Sequence, residues 1–331
     1  MQIDLRTVAI EPKRLAFDHL ARRFGANKQP SRYQEGSYDL QPTHNFHYRP
    51  SWDPQRELYD ARRTAIVMAD WYALKDPRQF YYGSYTQARA RQQEAAEASF
   101  EFVESRGLAA LLSPELRDDA LGLLLPLRHV AWAADLNNCG ICADGYGTVL
   151  TQAAMYHAMD NLGIAQYLTR LGLLLGDVES LAVAKREWLE APRWQPLRRL
   201  VENLLVQRDW FELFVAQNLV LDGLLYPLAY IEAVDKRYPQ RGSAAVTMLT
   251  AFMTDWFAET GKWVDAVVKT AAAESDANRA LLSQWTAAWR DRALAALEPV
   301  AASAFGDDSA EVLATVAQTF ASRAAKLGLT V

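Results

Sequence analysis

Hydrophobic residues recur at three- and four-residue intervals along most of this chain, which is the period of an amphipathic α-helix. No segment of useful length alternates with the period of two that a half-buried β-strand requires. The pattern predicts helices over residues 55–74, 84–105, 113–138, 147–174, 178–190, 195–207, 209–237, 243–272, 275–299 and 309–326. We therefore expect an all-α protein.

Local signals place several of the helix ends. Ser113, Pro114 and Glu115 combine a capping residue, an N1 proline and a first-turn acid, and Gly107 is a plausible stop for the preceding helix. Asp308 and Glu311 have capping-box spacing at the start of the last helix. These signals agree with the hydrophobic periodicity on the number of long helices.

Two prolines lie near the middle of predicted helices. Pro126 and Pro227 each remove a helix hydrogen bond and are expected to bend the helices that contain them. The helix over residues 147–174 is apolar on nearly every face and should be central. Several helices longer than 20 residues, with such a helix at the centre, favour a large bundle over a solenoid.

Residues 1–53 have a different character, since prolines, glycine and small polar residues interrupt any period. Aromatic residues nevertheless recur through this segment, whereas a disordered tail would contain few of them. We interpret residues 1–53 as an extended interaction arm of one helical domain that covers residues 1–331, with the bundle over residues 54–331.

Aromatic side chains alternate with Arg, Asp and Gln from Phe46 to Glu94. Large rings bury area while polar groups set the register, so this mixture is typical of a surface that binds another protein. The predicted partner interface consists of Phe46, Tyr48, Trp52, Trp71, Phe80, Tyr81 and Tyr82.

Composition excludes several classes of function. The 331 residues carry a net charge of −5, which favours neither nucleic acid nor an anionic membrane as a partner. The apolar runs are too short to span a bilayer, the start lacks a secretory h-region, and two cysteines fit a reducing cytoplasm. Glycine-rich phosphate loops, HExxH and GxSxG are absent from the sequence.

A large bundle raises the question of a di-iron carboxylate centre, which needs Glu-x-x-His on two helices and a Glu on each of two others. The sequence contains no Glu-x-x-His, because Ala, Gln, His, Pro and Ala precede the five histidines by three residues. Asp255 and Glu259 resemble an acid pair on one helical face, but no histidine follows them. The spacing argues against a metal site on this chain.

Other candidate ligands have ordinary structural interpretations. His129 could be a metal ligand or proton relay, although a core histidine bonded to a neighbouring helix, or an Arg-His pair near a kink, is favoured. Cys139 and Cys142 could join His129 and His157 at zinc, but packing is the commoner role. Four acids at helical spacing, Glu94, Glu97, Glu101 and Glu104, favour a solvated or interface face. A second set of polar residues lies in or beside helices predicted to be buried and is expected to be satisfied internally. This set is Asp135, Asn137, Asn138, Asp160 and Asn161.

Four motifs carry a family resemblance that extends over essentially the whole chain. They read YQEGSYDL, FHYRPSWDP, RTAIVMADWYALKDPRQFYYGSYTQARARQQE and LRHVAWAADLNNCGICADGYG. The chain resembles the β subunit of the oxygenase component of bacterial multicomponent phenol hydroxylases, with toluene, alkene and methane monooxygenase β subunits as more distant relatives.

The resemblance implies a ferritin-like, ribonucleotide-reductase-like bundle in which only the related α subunit holds two irons. Leu127, Arg128 and His129 resemble the end of an α-type Glu-Leu-Arg-His, with Pro126 in place of the ligating Glu. The segment from Thr254 to Glu259 resembles the second ligand motif with both ligands replaced. The resemblance therefore implies no cofactor and no catalytic residue on this chain.

The resemblance also implies the partners. They are α and γ subunits in an (αβγ)2 assembly, a small regulatory protein, and an NADH-dependent reductase that carries FAD and a 2Fe-2S cluster. The assembly would hydroxylate phenol to catechol with O2. Three alternatives stay open, namely a toluene or alkene monooxygenase β subunit, an active di-iron protein with atypical ligands, and a free-standing helical scaffold.

Overall fold

The computed structural model describes residues 17–26, 28–42, 49–242 and 244–331, and within these ranges the chain is helical without a β-strand. Eleven helices of six or more residues occur there. They are α1 (Arg32–Ser37), α2 (Tyr82–Ser105), α3 (Pro114–Leu124), α4 (Leu127–Asp144), α5 (Thr148–Leu175), α6 (Val178–Glu190), α7 (Gln195–Leu204), α8 (Trp210–Gln240), α9 (Ala244–Glu274), α10 (Asp276–Phe305) and α11 (Ser309–Lys326). The all-α prediction is confirmed.

Helix α8 lies at the centre of the bundle and packs against α4, α9, α10 and α11. By length and composition it could cross a membrane, but 94% of its most apolar window is buried inside the protein. Helices α4 and α5 form a tightly packed hairpin beside it, and α2 packs against α9. The core therefore consists of α8 surrounded by other helices, which explains why α8 is largely apolar. The prediction that the helix over residues 147–174 is central is wrong, since Met155, Met159 and Leu162 of α5 are exposed.

Most predicted helix ends are observed. The Ser113 side chain accepts a hydrogen bond from the Leu116 amide at 3.2 Å, and Gly107 has a φ of +63°, which a glycine adopts without strain. The capping box at the last helix is wrong. A 3₁₀ turn precedes α11, and the Asp308 carboxylate instead accepts a hydrogen bond from Arg237 at 3.1 Å.

The helix predicted over residues 55–74 is wrong, since this segment contains only the 3₁₀ turns Ala61–Arg63 and Trp71–Ala73. Between the turns the chain is extended, and alternate residues from Thr64 to Met68 are buried. Three backbone amides in this stretch donate hydrogen bonds to side chains from other helices. The Ala65 amide donates to Asp209, the residue before α8. The Val67 amide donates to Asn278 on α10, and the Ala69 amide donates to Glu274 at the end of α9. These distant partners outweigh the local helical pattern.

The local hydrogen bonding changes at Pro126 and Pro227, the two prolines singled out in the sequence. At Leu125 and Pro126 the predicted continuous helix divides into α3 and α4, and the amide of His129 bonds back to the Pro126 carbonyl at 3.0 Å. At Pro227 helix α8 continues, but in π-helical form from Pro227 to Arg237. Proline has no amide to donate, so each site adopts a hydrogen-bond pattern other than the α-helical one.

The described part of the N-terminal arm lies on the bundle of its own chain. Leu20 and Tyr33 are buried, and the Tyr38 ring stacks on Tyr72 with centroids 5.8 Å apart. The hydroxyl of Thr148, at the start of α5, donates to the Ser37 carbonyl. Residues 17–26 and 28–42 thus contain short helices and contact the α4–α5 turn; a role for residues 1–53 in binding another chain stays a prediction.

Candidate functional site

A buried charged cluster joins α2, α5 and α9. The Asp160 carboxylate accepts two hydrogen bonds of 2.7 Å from Arg89, and one of 2.8 Å each from the Tyr85 hydroxyl and the Trp256 indole. Arg89 also donates to Glu259 at 2.9 and 3.1 Å. One guanidinium therefore pairs with two carboxylates from different helices.

The electrostatics of this cluster favour the ion pair. Burial by itself would lower the pKa of Arg89, but its bonds to Asp160 and Glu259 raise that pKa above the ordinary value. Burial and the neighbouring Asp160 carboxylate raise the pKa of Tyr85. Tyr85 therefore keeps its proton and Arg89 its charge across the physiological pH range, and Asp160 has no free lone pair directed at a cofactor.

Arg78 extends the cluster toward the loop before α2. Its guanidinium makes a bidentate pair with Asp76 and donates to Glu259 at 3.3 Å, while its side chain is only 6% exposed. Glu259, half of the acid pair noted in the sequence, is thus held by two arginines, and Asp255 is exposed to solvent. The two acids do not act together.

A second polar chain crosses the core between α4, α5 and α8. The Asn137 amide donates to Gln217 at 2.9 Å, and Gln217 donates to Asp222 at 2.9 Å. The second Asp222 oxygen lies 3.5 Å from Nε2 of His157, and neither of these atoms has a hydrogen-bond partner in the described residues. Two tryptophans flank the His157 ring at centroid distances of 4.9 and 5.5 Å.

The buried asparagines are satisfied, as expected, but mainly by α8 and not by each other. Asn138 and Asn218 exchange side-chain hydrogen bonds of 3.0 and 2.9 Å. The Asn161 amide donates to the His157 carbonyl on its own helix. The polar positions in α4 and α5 were visible in the sequence, but Gln217, Asn218 and Asp222 were missed because α8 shows no periodic polar signal.

His129 packs against the surface helix α6. Its ring stacks on Trp188 with centroids 5.7 Å apart, and burial together with the nearby cations Arg128 and Lys185 lowers its pKa to about 4. Arg128 itself donates to the Leu181 carbonyl at 2.7 Å. The structure therefore supports the packing interpretation of His129, with ring stacking where a hydrogen bond was expected.

The surface acids and the cysteines also have structural roles. Glu94, Glu101 and Glu104 are exposed on α2, while Glu97 pairs with Arg170 at 2.5 Å, in agreement with a solvated face. Cys139 and Cys142 are free and partly buried, and burial raises the pKa of both thiols. A thiol with a raised pKa is a weak nucleophile at neutral pH, so packing is the supported role.

The described residues do not fit a di-iron centre. No group of three or more His, Cys, Asp and Glu side chains within the described ranges could hold a metal ion. Asp160 and Glu259 are already paired with Arg89, and Pro126 stands where a ligating Glu would be needed. Only His157 and Asp222 remain as facing donors, and two ligands are far short of the six that such a centre uses.

The predicted interface aromatics lie in different environments. Trp71 is buried and packs against Trp210 and Tyr146 of its own chain. Phe80 and Tyr81 are half-buried, and Arg78 lies over the Phe80 ring at 4.9 Å. Trp52 and Tyr82 are 58% and 69% exposed, whereas Phe46 and Tyr48 lie outside the described residues. The interface itself stays a prediction.

Comparisons with known proteins give one consistent result. Residues 52–275 match the family described as Methane/Phenol/Alkene Hydroxylase. The chain is 50% identical to the phenol 2-monooxygenase oxygenase component DmpL of Pseudomonas sp. (strain CF600), over 99% of this chain and 98% of that protein. It is 24% identical to the hydroxylase component subunit beta of the toluene-4-monooxygenase system of Ectopseudomonas mendocina, over 85% and 88% of the two chains.

A solved structure agrees with the sequence relatives. The fold superimposes with a TM-score of 0.93 and 44% identity on a chain of the xenon-pressurised phenol hydroxylase from Pseudomonas sp. OX1, with 99% of both chains covered. The ferritin-like bundle predicted from the sequence is therefore confirmed. The chain belongs to the methane/phenol/alkene hydroxylase family.

Proposed function

We propose that this chain is the non-catalytic β subunit of the oxygenase component of a phenol 2-monooxygenase. The observation that carries the proposal is the Arg89 guanidinium between Asp160 and Glu259. An arginine supplies the positive charge that a metal would supply in a carboxylate site, so both acids are engaged in holding helices together. Full-length similarity to phenol 2-monooxygenase oxygenase components supports the substrate class.

The chemistry of the assembly then belongs to other chains. The di-iron centre resides in an α subunit, and phenol is hydroxylated there to catechol with O2 and electrons from NADH. An FAD and 2Fe-2S reductase delivers the electrons, and a regulatory protein and a γ subunit complete an (αβγ)2 enzyme in the cytoplasm. This chain contributes a helical body that binds the α subunit. Its core is stabilised by buried ion pairs and by the packing of the largely apolar α8.

Purification of the chain alone and together with its α subunit tests the proposal. Metal analysis is expected to find iron in the complex and none above background in the isolated chain, and size-exclusion chromatography should show one stable complex. Phenol turnover should require both chains. Stoichiometric iron bound to the isolated chain, or full turnover by α without it, would contradict the proposal.

The substrate class is tested separately. The 50% identity to a phenol 2-monooxygenase component, against 24% to a toluene monooxygenase subunit, favours phenol. Turnover of phenol, toluene and propene by the reconstituted enzyme would be compared, and a clear preference for toluene or propene would assign the chain to one of the related branches.

A further inference from the structure

The α4–α5 hairpin has an outward surface that is unusually poor in charge. From His129 to Thr169 the sequence contains no Lys, Arg or Glu, although the hairpin has exposed positions along its whole length. We call this outward surface the hairpin face, and it consists of Trp132, Asp135, Leu136, Cys139, Ala143, Met155, Met159 and Leu162. Solvated helix faces of soluble proteins normally carry charged residues at such positions.

The exposed side chains of the hairpin face are large and apolar. Trp132, Leu136, Met155, Met159 and Leu162 are each 37% to 52% exposed. Trp132 and Leu136 are one helical turn apart on α4, and so are Met155 and Met159 on α5. Because α4 and α5 pack side by side, the two rows form one continuous surface. Enrichment in Trp and Met with depletion of Lys and Glu is the composition of an interface core.

The size of the hairpin face is sufficient for a substantial part of a stable interface. Helix α4 has 18 residues, which at about 1.5 Å each gives roughly 27 Å of length shared with α5. Two adjacent helices are about 20 Å wide, so the face covers on the order of 500 Å². A stable protein interface buries about 800 Å² on each partner, so the hairpin face would supply more than half of that area.

One carboxylate in this surface has no cation beside it. Asp135 is half-buried, its only hydrogen bond in the described residues comes from the Cys139 thiol at 3.7 Å, and burial raises its pKa. The other acids of the hairpin are placed differently. Asp160 faces inward to Arg89, and Asp144 lies near the tip, where it is influenced by Arg63 and Arg208. Asp135 is therefore the position at which a basic residue of a partner would form an ion pair.

The charges of the hairpin face distinguish between two possible binding partners, a second copy of this chain and a different protein. In a symmetric contact between two copies of this chain the same patch would occur on both sides. Such a contact would bring two Asp135 carboxylates into an apolar interface with no Lys or Arg from residues 129–169 of either copy. Unpaired like charges in a desolvated interface are strongly unfavourable. A different protein that carries a basic residue is the occupant that fits.

We propose that the hairpin face binds the large subunit of the oxygenase, and that an Arg or Lys of that subunit pairs with Asp135. The proposal rests on the proposed function, since the large subunit is the partner that a β subunit implies. It adds the surface, its apolar anchors Trp132 and Met159, and the charge that the partner must present. The exposed aromatics Trp52 and Tyr82 lie outside the hairpin face and are not needed for it.

Charge insertion in the hairpin face tests the proposal in the full complex. Leu136→Glu and Met159→Glu place a carboxylate at partly exposed positions, so the isolated chain is expected to keep its thermal unfolding temperature and helical content. Association with the large subunit should weaken roughly 30-fold or more, the size of a typical hot-spot effect. Val206→Glu, at a position 68% exposed after α7, is the matched control and should associate like the wild type.

Two changes at Asp135 test the predicted cation. Asp135→Lys should weaken association with the large subunit at least about tenfold, because it places a second cation opposite the basic residue of that subunit. Asp135→Glu keeps the charge and should retain most of the affinity. Equal binding by Asp135→Lys and the wild type would refute the pairing with a basic residue.

The outcomes separate the surface from the function. A wild-type chain that joins the large subunit, with Leu136→Glu and Met159→Glu joining it equally well, would overturn the hairpin face and leave the proposed function intact. A wild-type chain that does not join any large subunit would overturn both. A wild-type homodimer that Leu136→Glu dissociates, in the absence of the large subunit, would also overturn the assignment of the occupant.

Discussion

Arg89 on α2 and Asp160 on α5 form a bidentate ion pair with two hydrogen bonds of 2.7 Å inside the helical bundle. The side chains are 16% and 4% exposed, so water screens this pair very little. Tyr85 and Trp256 donate to the remaining positions of the carboxylate. The pair and its two further donors therefore connect the helices α2, α5 and α9.

Removal of the Asp160 carboxylate is expected to be costly. Asp160→Ala leaves Arg89 buried with only Glu259 as an anionic partner. It also leaves the Trp256 indole without an acceptor, and the Tyr85 hydroxyl with only the Tyr156 carbonyl at 3.3 Å. Breaking a buried pair in this way typically costs about 3–5 kcal/mol. Urea unfolding would measure the loss, with Asp255→Ala on the exposed face of α9 as a control that should change stability by less than about 0.5 kcal/mol.

The pH dependence of stability should report His129. Its pKa falls from 6.5 to about 4 on folding, so between these values the unfolded chain binds a proton that the folded chain does not. The stability contributed by neutral His129 is therefore fully present above pH 6.5 and decreases as the pH falls toward 4. His129→Gln should flatten the pH profile of the unfolding free energy in this window, whereas His19→Gln, at an exposed position, should leave it unchanged.

Two glycines of α5 are expected to respond in opposite directions to alanine. A Cβ at Gly172 would overlap the Leu125 side chain and approach Leu181 at 3.1 Å, so Gly172→Ala should destabilise the fold by about 1–3 kcal/mol. A Cβ at Gly163 meets nothing within 4 Å, so Gly163→Ala should stabilise the same helix by about 0.5–1 kcal/mol. Thermal unfolding of both variants is the measurement, and a destabilised Gly163→Ala would contradict this account.

The extended segment over residues 64–70 should depend on Asn278. The Asn278 amide donates to the Val67 carbonyl at 2.8 Å, and its oxygen accepts from the Val67 amide at 3.2 Å. Asn278→Ala is expected to cost about 1–3 kcal/mol because the partly buried backbone amide and carbonyl of Val67 lose their partners. Limited proteolysis should then cleave near Val67 faster, while Asn203→Ala, at an exposed position, should behave like the wild type.

The sequence by itself determined the helical class and most helix positions. Nine of the ten predicted helices are observed, one of them divided into α3 and α4, because long amphipathic periods and end signals such as Ser113 and Gly107 act locally. It also determined the absence of Glu-x-x-His, since that motif has a spacing set by helix geometry. The motifs from Tyr33 to Gly147 carried the family, which the comparisons then confirmed.

The tertiary structure decided the features that depend on contacts distant in sequence. Residues 55–74 have a helical pattern, yet Asp209, Glu274 and Asn278 hold the middle of this segment extended. Tertiary hydrogen bonds can outweigh helix propensity because a propensity difference is worth only tenths of a kcal/mol per residue. The pattern contained no information about these three acceptors.

The same reason applies to the charged cluster and the hairpin face. Arg89, Asp160 and Glu259 are separated by 71 and 99 residues in the chain, and only the packing of α2, α5 and α9 shows that one guanidinium satisfies both acids. The absence of Lys, Arg and Glu from residues 129–169 was present in the sequence, but burial of those positions would explain it equally well. Folding leaves Trp132 and Met159 on the outside, and that placement is the observation that supports the proposed partner surface.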